Sequence, residues 1–167
     1  MLNLIDIYII IKIKGIDEMY NRCWSRKELT SKKLGEFAEY YAKMALASYG
    51  MDIYTSEVDD HGIDFVAESS KGFLKFQVKS VRNFNYVGIK KEVFDVSDDF
   101  LFLILLLLND NEDPAMYIIP ASTWKDSNKK VFVSREYATP EYGINNSVKN
   151  LPVLEKFKIE KMIESIL

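Results

Sequence analysis

The sequence holds few of the residues on which several common enzyme classes depend. It contains one cysteine, Cys23, and one histidine, His61. A single cysteine excludes an intramolecular disulfide and a cysteine-based zinc site, and a single histidine excludes the His-Glu-x-x-His zinc helix. The seven glycines form no phosphate-binding loop, and the Gly-x-Ser-x-Gly motif is missing. The low cysteine content fits a reducing, cytoplasmic setting.

The chain also lacks an apolar run of the length that a membrane helix requires. The run FLFLILLLL covers residues 100–108 and is flanked by acidic residues, whereas a membrane helix needs about 20 apolar residues. We therefore predict a buried central strand. The N-terminal segment has no basic leader and no small-residue cleavage site, so we expect no signal peptide. Residues 1–18 are either an added strand or an extension before the domain.

What is present is the composition of one folded domain, which we place at residues 19–167. The 167 residues are 48% hydrophobic, 13% aromatic and 28% charged, which is typical of a globular protein. The net charge of -3 argues against non-specific binding of nucleic acid by a protein that is positively charged overall. Charge is nevertheless segregated, because residues 69–91 contain six basic and no acidic residues, and residues 92–113 contain seven acidic residues and no Lys or Arg.

A helix is predicted near the start of this domain. Thr30 or Ser31 can act as its N-cap, and Gly50 ends it after about Tyr49. Glu36 and Glu39 are three residues apart and should lie close together at the edge of the buried stripe. The 3, 4, 7 spacing predicts that this stripe consists of Phe37, Tyr40, Tyr41, Met44 and Ser48.

Several strands and a final helix should follow. The runs IDFVAE and FLKFQVKS, joined by SSKG, predict a hairpin. Further strands are expected at 86–90, 100–108 and 115–120, and KVFVS is another candidate. Residues 151–167 form an amphipathic pattern typical of one helix, with Leu151, Leu154, Phe157, Met162 and Ile166 on one side. The expected fold class is an α/β domain with a mixed sheet flanked by helices.

The hairpin brings together residues that could carry chemistry. Alternation along its second strand sends Gln77 and Lys79 to the same face. If the turn is centred between Ser70 and Lys71, opposing residue numbers sum to 141 and Asp64 lies across from Gln77, with Cβ atoms about 5 Å apart. Two oxygen ligands, a helix carboxylate and an ammonium are the ingredients of divalent-metal phosphodiester hydrolysis. A one-residue slip of register would remove this arrangement.

These motifs, taken in order, resemble the PD-(D/E)XK nuclease superfamily, in a branch with Gln-x-Lys. The resemblance covers about residues 34–90 and includes a helix with Gly35-x-x-x-Glu39, the segment DDHGIDFV with Asp64, and FQVKS. It implies a restriction endonuclease-like core in αβββαβ-like order. It also implies a Mg²⁺-dependent endonuclease acting on DNA, with Mn²⁺ as a possible substitute metal.

The resemblance assigns a role to each residue that matches the motif. It makes Asp64 a metal ligand, places Gln77 where Glu or Asp is usual, and makes Lys79 the catalytic lysine. Glu39 is the preferred helix carboxylate and Glu36 its alternate. Two departures stand out: Ile63 occupies the place of the usual proline, and Gln77 removes one negative charge from the metal site.

Other interpretations of these residues stay open. Asp64 can cap a turn, Glu39 can pair with Lys43, and Lys79 can be a solvated strand charge. Asp60 and His61 either form a solvated turn with Asp59 or line the metal site. Arg82, Lys90 and Lys91 either bind phosphates or form a solvated basic face. For Trp124 and Tyr86 we expect packing and not base stacking.

Two further hypotheses concern the whole domain. One is a catalytically inactive module of the same fold that binds nucleic acid or protein through residues 69–91. The other is an interaction domain whose N-terminal apolar run and C-terminal helix form a subunit interface. If the protein cuts both strands of a duplex, two sites and hence a homodimer are expected.

Overall fold

The computed structural model describes residues 23–55, 62–126 and 130–167. It begins with helix α1, Ser31–Ser48. The Thr30 hydroxyl accepts a hydrogen bond from the Lys33 amide, which caps the first turn. At the other end Gly50 has φ +90°, and the amides of Gly50 and Met51 donate to the carbonyls of Ala47 and Leu46. Both predicted ends of this helix are confirmed.

A five-stranded mixed sheet forms the centre of the fold. Its strands are β1 (Asp52–Tyr54), β2 (Phe65–Ser69), β3 (Gly72–Arg82), β5 (Leu101–Leu108) and β6 (Ala115–Pro120), in the spatial order β1-β2-β3-β5-β6. The β3 and β5 strands are parallel and the other neighbours are antiparallel. Every residue of β5 is buried, which confirms the central strand predicted from its apolar run.

A second sheet of three strands covers part of one face. It consists of β4 (Tyr86–Lys90), β7 (Phe132–Arg135) and β8 (Glu141–Asn145), in the order β4-β8-β7. The β4 strand and the one-turn 3-10 helix Lys91–Val93 lie on the crossover from β3 to β5. The αβββαβ-like order predicted a helix in this crossover, and β4 with the 3-10 helix takes its place.

The five-stranded sheet separates two hydrophobic cores. The helix-side core lies beneath α1 and includes Leu34, Ala38, Ala42, Phe65, Phe76 and Ile104. The sheet-side core lies between the two sheets and includes Val87, Ile89, Leu103, Leu105, Trp124 and Ile144. Alternate residues of β5 enter each core, so both faces of this strand are covered by packed side chains.

The predicted buried stripe of α1 is wrong. The helix buries Leu34, Ala38, Ala42 and Leu46, while Tyr40 is 73% exposed and Met44 is 63% exposed. Phe37 and Tyr41 pack only at the margin of the helix-side core. Apolar residues occur on several sides of this helix, so their spacing was compatible with either of two buried stripes, the predicted one or the one that contains the alanines. The alanines face the sheet because their small side chains permit close packing of the helix axis on the strands.

The prediction of a single C-terminal helix is also wrong, because the helical segment is broken at Lys158. It contains α2 (Leu151–Leu154), the 3-10 turn Glu155–Phe157 and α3 (Ile159–Ile166). Lys158 has extended backbone angles and forms an isolated antiparallel bridge with Tyr117 of β6. The break redirects the chain around the edge of the sheet. Leu154 therefore enters the sheet-side core, and Ile159, Ile163 and Ile166 enter the helix-side core.

Two sequence predictions lie outside the described residues. The prediction that residues 1–18 are either an added strand or an extension falls outside the described ranges, which begin at residue 23. The Asp59, Asp60 and His61 loop likewise falls in residues 56–61, outside the described ranges. Within the described ranges, no helix has the length and apolar character needed to cross a bilayer.

Candidate functional site

Strand β3 presents different chemistry on its two faces. Leu74, Phe76 and Val78 enter the helix-side core, so the intervening Gln77 and Lys79 point to the opposite face, towards the second sheet. There they lie beside Leu103 and Leu105 of β5 in the parallel register. The predicted alternation of this strand is confirmed.

The hairpin register is confirmed as well. Phe65 pairs with Phe76 and Ser69 with Gly72, so opposing residue numbers sum to 141 as predicted. Asp64 lies one residue before the first of these pairs. Its amide donates to the Phe76 carbonyl at 2.9 Å, and its Oδ2 accepts the Val78 amide at 2.5 Å. The Asp64 carboxylate is therefore bound to the backbone of β3 next to Gln77.

Gln77 is the most unusual polar residue of this face. It is only 4% exposed, and its Oε1 has no hydrogen-bond partner in the described structure. A buried carbonyl without a partner is destabilising, since its bonds to water are lost on folding. The side-chain amide therefore presents an oxygen that a ligand could satisfy.

A tight contact holds this amide in place. Gly62 has φ +69°, and a Cβ atom at this position would lie 2.9 Å from Gln77 Nε2 and 2.9 Å from Val93 Cβ. Only glycine combines this backbone conformation with this approach. Gly62 thus lets the turn before β2, the Gln77 side chain and the 3-10 helix Lys91–Val93 meet at one point.

Gln77 lines a cleft of about 460 Å³ between β3 and β4. Its described lining residues are Gly62, Gln77, Lys79, Gly88, Lys90, Glu92 and Val93. Gln77 and Lys79 thus share one cavity, as their Gln-x-Lys spacing predicted, whereas Asp64 is not among its described lining residues. Glu92 and Gly62 were missed as site residues. The only sequence signal for Glu92 was its position at the first residue of the acidic segment, directly after the basic one.

The helix glutamates lie elsewhere in the fold. Helix α1 packs on the face of the sheet that carries Phe76, opposite to the face of Gln77. Glu36 is exposed and Glu39 is half-buried. Neither is among the residues that line the cleft. A role for Glu39, or for Glu36 in its place, stays a prediction.

The three predicted phosphate-binding residues have different surroundings. Arg82 Nη1 donates to the carbonyls of Trp24 at 3.3 Å and Leu29 at 3.4 Å, on the helix side of the sheet. Lys91 pairs with Glu136. Lys90 alone of the three lines the cleft. Its Nζ is 3.4 Å from Glu92 Oε1.

The two aromatic residues considered for base stacking also differ. Trp124 is buried in the sheet-side core, and its Nε1 donates to the Gly143 carbonyl at 3.1 Å, so the expected packing is confirmed. Tyr86 is partly exposed and its hydroxyl donates to Glu141. Burial and this hydrogen bond raise the pKa of Tyr86 above its usual range.

Comparison with solved structures agrees with this architecture. A bacterial homing endonuclease, I-Ssp6803I, superposes with a TM-score of 0.54 at 17% sequence identity, covering 81% of this chain and 94% of that one. The chain has the restriction endonuclease-like fold. Hjc, a Holliday junction resolvase from Archaeoglobus fulgidus, aligns with a TM-score of 0.46 at 16% identity over 70% of this chain and 88% of its own. No protein-family model and no curated protein sequence matches the chain.

Within this fold, the described side chains do not by themselves form a carboxylate-rich metal centre. No group of three or more His, Cys, Asp or Glu residues suited to a metal ion occurs in residues 23–55, 62–126 and 130–167. A metal site built from the described residues of this cleft would include the Gln77 amide oxygen. The unpartnered and buried Oε1 fits that requirement, because amide and carboxylate oxygens are suitable ligands for a hard divalent cation.

Proposed function

We propose that this protein is a Mg²⁺-dependent endonuclease that hydrolyses DNA phosphodiester bonds. The observation that carries the proposal is the cleft in which Gln77, with its unpartnered Oε1, lies two residues from Lys79 on the same face of β3. Further support comes from the fold, since the structurally similar I-Ssp6803I is a homing endonuclease.

The residues that would hold the metal are Gln77, through Oε1, and Asp64, through its carboxylate. Asp64 is oriented by the Val78 amide, which donates to Oδ2 at 2.5 Å. Gln77 is oriented by the packing of its Nε2 against Gly62. When bound, a divalent cation would polarise a phosphate oxygen and lower the pKa of a coordinated water. Mn²⁺ accepts the same oxygen ligands and is expected to substitute.

Lys79 would position the attacking water and stabilise the negative charge that develops on the reacting phosphate. Lys79 lines the same cleft as Gln77. A cation there stabilises the negative charge that develops as the water oxygen bonds to phosphorus and one phosphorus–oxygen ester bond breaks. Lys90 would hold a neighbouring phosphate, a role supported by its position in the lining of the cleft.

Cleavage of plasmid and single-stranded DNA with Mg²⁺ or Mn²⁺ tests this function. The wild-type protein is expected to nick the plasmid, and Lys79→Ala should lower the rate by about 10²- to 10³-fold, which is the usual range for loss of one group that stabilises developing charge. Lys75→Ala is the matched control, because Lys75 lies on the same strand and face but pairs with Asp98. It should retain activity.

The outcome that contradicts the catalytic assignment is equally clear. Absence of cleavage on every DNA substrate, or equal rates for wild type and Lys79→Ala, overturns it. Circular dichroism and thermal unfolding of each variant exclude loss of fold as the cause. Double-strand breaks that appear only at concentrations where the protein dimerises would support the homodimer proposed for cutting both strands.

A second candidate function is supported by the neutrality of Gln77. The amide contributes no charge to the metal site, and fewer charged ligands mean weaker cation binding. An inactive module of this fold would bind DNA without cutting it. Gel-shift measurements that show DNA binding in the absence of any Mg²⁺- or Mn²⁺-dependent cleavage would favour this alternative.

A further inference from the structure

The candidate metal site lacks one negative charge. Gln77 supplies a neutral oxygen, and the Oδ2 atom of Asp64 already accepts the Val78 amide. Divalent cations in phosphoryl-transfer sites are usually bound through one or more carboxylates as well as substrate phosphates. A second carboxylate near Gln77 would replace the charge that glutamine removes.

Glu92 is in the right place to supply it. Among the described residues that line the cleft, Glu92 is the acidic one. It lies on the 3-10 helix Lys91–Val93, and the next residue, Val93, meets Gly62 and Gln77 at the contact described above. The backbone that carries Glu92 is therefore anchored beside the Gln77 amide.

The side chain of Glu92 is available for this role. It is 67% exposed, and its Oε1 forms an ion pair with Lys90 Nζ at 3.4 Å. Exposed ion pairs contribute little to stability because solvent screens them. Glu92 can therefore exchange Lys90 for a cation at small cost, and this exchange would release the Lys90 ammonium for a phosphate.

We propose that Glu92 is a metal ligand of this site and provides the carboxylate charge absent at Gln77. The inference rests on the proposed function. It gives to Glu92, on the 3-10 helix Lys91–Val93, the role of metal-binding carboxylate that the resemblance gave to Glu39. Helix α1 packs on the other face of β3, whereas Glu92 and Gln77 open into the same cleft. The ligand set is then Gln77 and Glu92 from the cleft, together with Asp64, whose carboxylate is held at the edge of this site by the Val78 amide.

Mn²⁺ binding to the full chain without DNA provides a readout independent of activity. The titration is followed by electron paramagnetic resonance of free Mn²⁺. Glu92→Gln should weaken Mn²⁺ binding by at least about 10- to 100-fold, the loss of metal affinity that is usual when even a residue that only orients a ligand is replaced. Glu136→Gln is the control, because Glu136 pairs with Lys91 and is not among the cleft residues. It should bind Mn²⁺ like the wild type.

Two further variants separate a ligand from a residue that only maintains structure. Gln77→Glu in the Glu92→Gln background returns the missing charge to the site and should restore most of the Mn²⁺ affinity. Lys90→Ala removes the cation that competes for Glu92 and should strengthen Mn²⁺ binding. This strengthening should be smaller in the Glu92→Gln background, because Lys90 then no longer competes for a ligand carboxylate. Equal strengthening in both backgrounds would contradict the role of Glu92.

The possible outcomes distinguish this inference from the proposed function. If Glu92→Gln binds Mn²⁺ as tightly as the wild type and Glu39→Gln binds it weakly, Glu92 is not the ligand, and the nuclease proposal stands with the helix glutamate in its place. If the wild type neither binds Mn²⁺ nor cleaves DNA, both proposals fail. Loss of binding in Glu92→Gln with rescue by Gln77→Glu supports the inference.

Discussion

The two faces of strand β3 differ in how completely their side chains are satisfied. On the helix side, Leu74 and Phe76 are buried among apolar residues. On the cleft side, Gln77 is equally buried but its carbonyl oxygen has no partner in the described structure. Both faces belong to one strand with one set of backbone hydrogen bonds. The helix side therefore contributes stability, whereas the cleft side retains a polar group that destabilises the fold and that we propose binds a ligand.

The position of β3 explains why this difference can persist. The strand pairs with β2 on one side and with β5 on the other, so its backbone is held from both edges. An unpartnered buried polar group costs about 1–3 kcal/mol. Burial of the large apolar side chains on the other face offsets this, because each contributes about 1.5–3 kcal/mol. The scaffold is therefore rigid where the site requires oriented groups.

The largest effect is expected on the helix side, from Phe76→Ala. Phe76 is fully buried and its ring lies 5.1 Å from that of Phe65 and 5.7 Å from that of Phe102. The cavity left by its removal should lower the free energy of unfolding by about 3–5 kcal/mol, measured by urea denaturation. Phe73→Ala, at an exposed position of the same strand, should lose less than about 1.5 kcal/mol. Similar losses for both variants would contradict the assignment of two unlike faces.

A smaller loss is expected on the cleft side, from Gly62→Ala. The alanine would adopt an unfavourable positive φ, and its Cβ would overlap Gln77 Nε2 and Val93 Cβ. Strain and overlap together should reduce the free energy of unfolding by about 2–4 kcal/mol. Gly35→Ala in α1 is the matched control, since no atom lies within 4 Å of its added Cβ. It should raise helix stability by about 0.5–1 kcal/mol, and a loss there would argue against the described packing of α1.

The smallest effect, and one of opposite sign, is expected from Gln77→Met. Methionine has a similar shape and no carbonyl oxygen, so it removes the unpartnered polar atom. The free energy of unfolding should stay unchanged or rise by about 1 kcal/mol, while Mn²⁺ binding should fall at least about 10-fold. The reverse change on the other face, Leu74→Gln, should be destabilising because no polar partner is expected in that core. A clear loss of stability in Gln77→Met would show that the amide has a structural role.

Local patterns allowed much of the strand arrangement to be predicted. The hairpin register, the alternation of Gln77 and Lys79 and the buried strand β5 all follow from period-2 patterns and turn composition, which depend on neighbouring residues. The ends of α1 follow from Thr30 and Gly50 for the same reason. The buried stripe of α1 and the break at Lys158 depend instead on which surface each segment meets, and no local pattern contains that information.

The sequence by itself determined the hairpin, the buried central strand and the shared face of Gln77 and Lys79, because strand periodicity and hairpin geometry act over short distances along the chain. The restriction endonuclease-like core was implied by the resemblance of its motifs. Only the tertiary structure decided that β4 and the turn after it close over this face, and that Glu92 enters the cleft while Arg82 turns away towards Trp24. Gln77 and Glu92 are 15 positions apart in the printed sequence. They are brought together because the second sheet packs on the first and buries the apolar side chains of the sheet-side core.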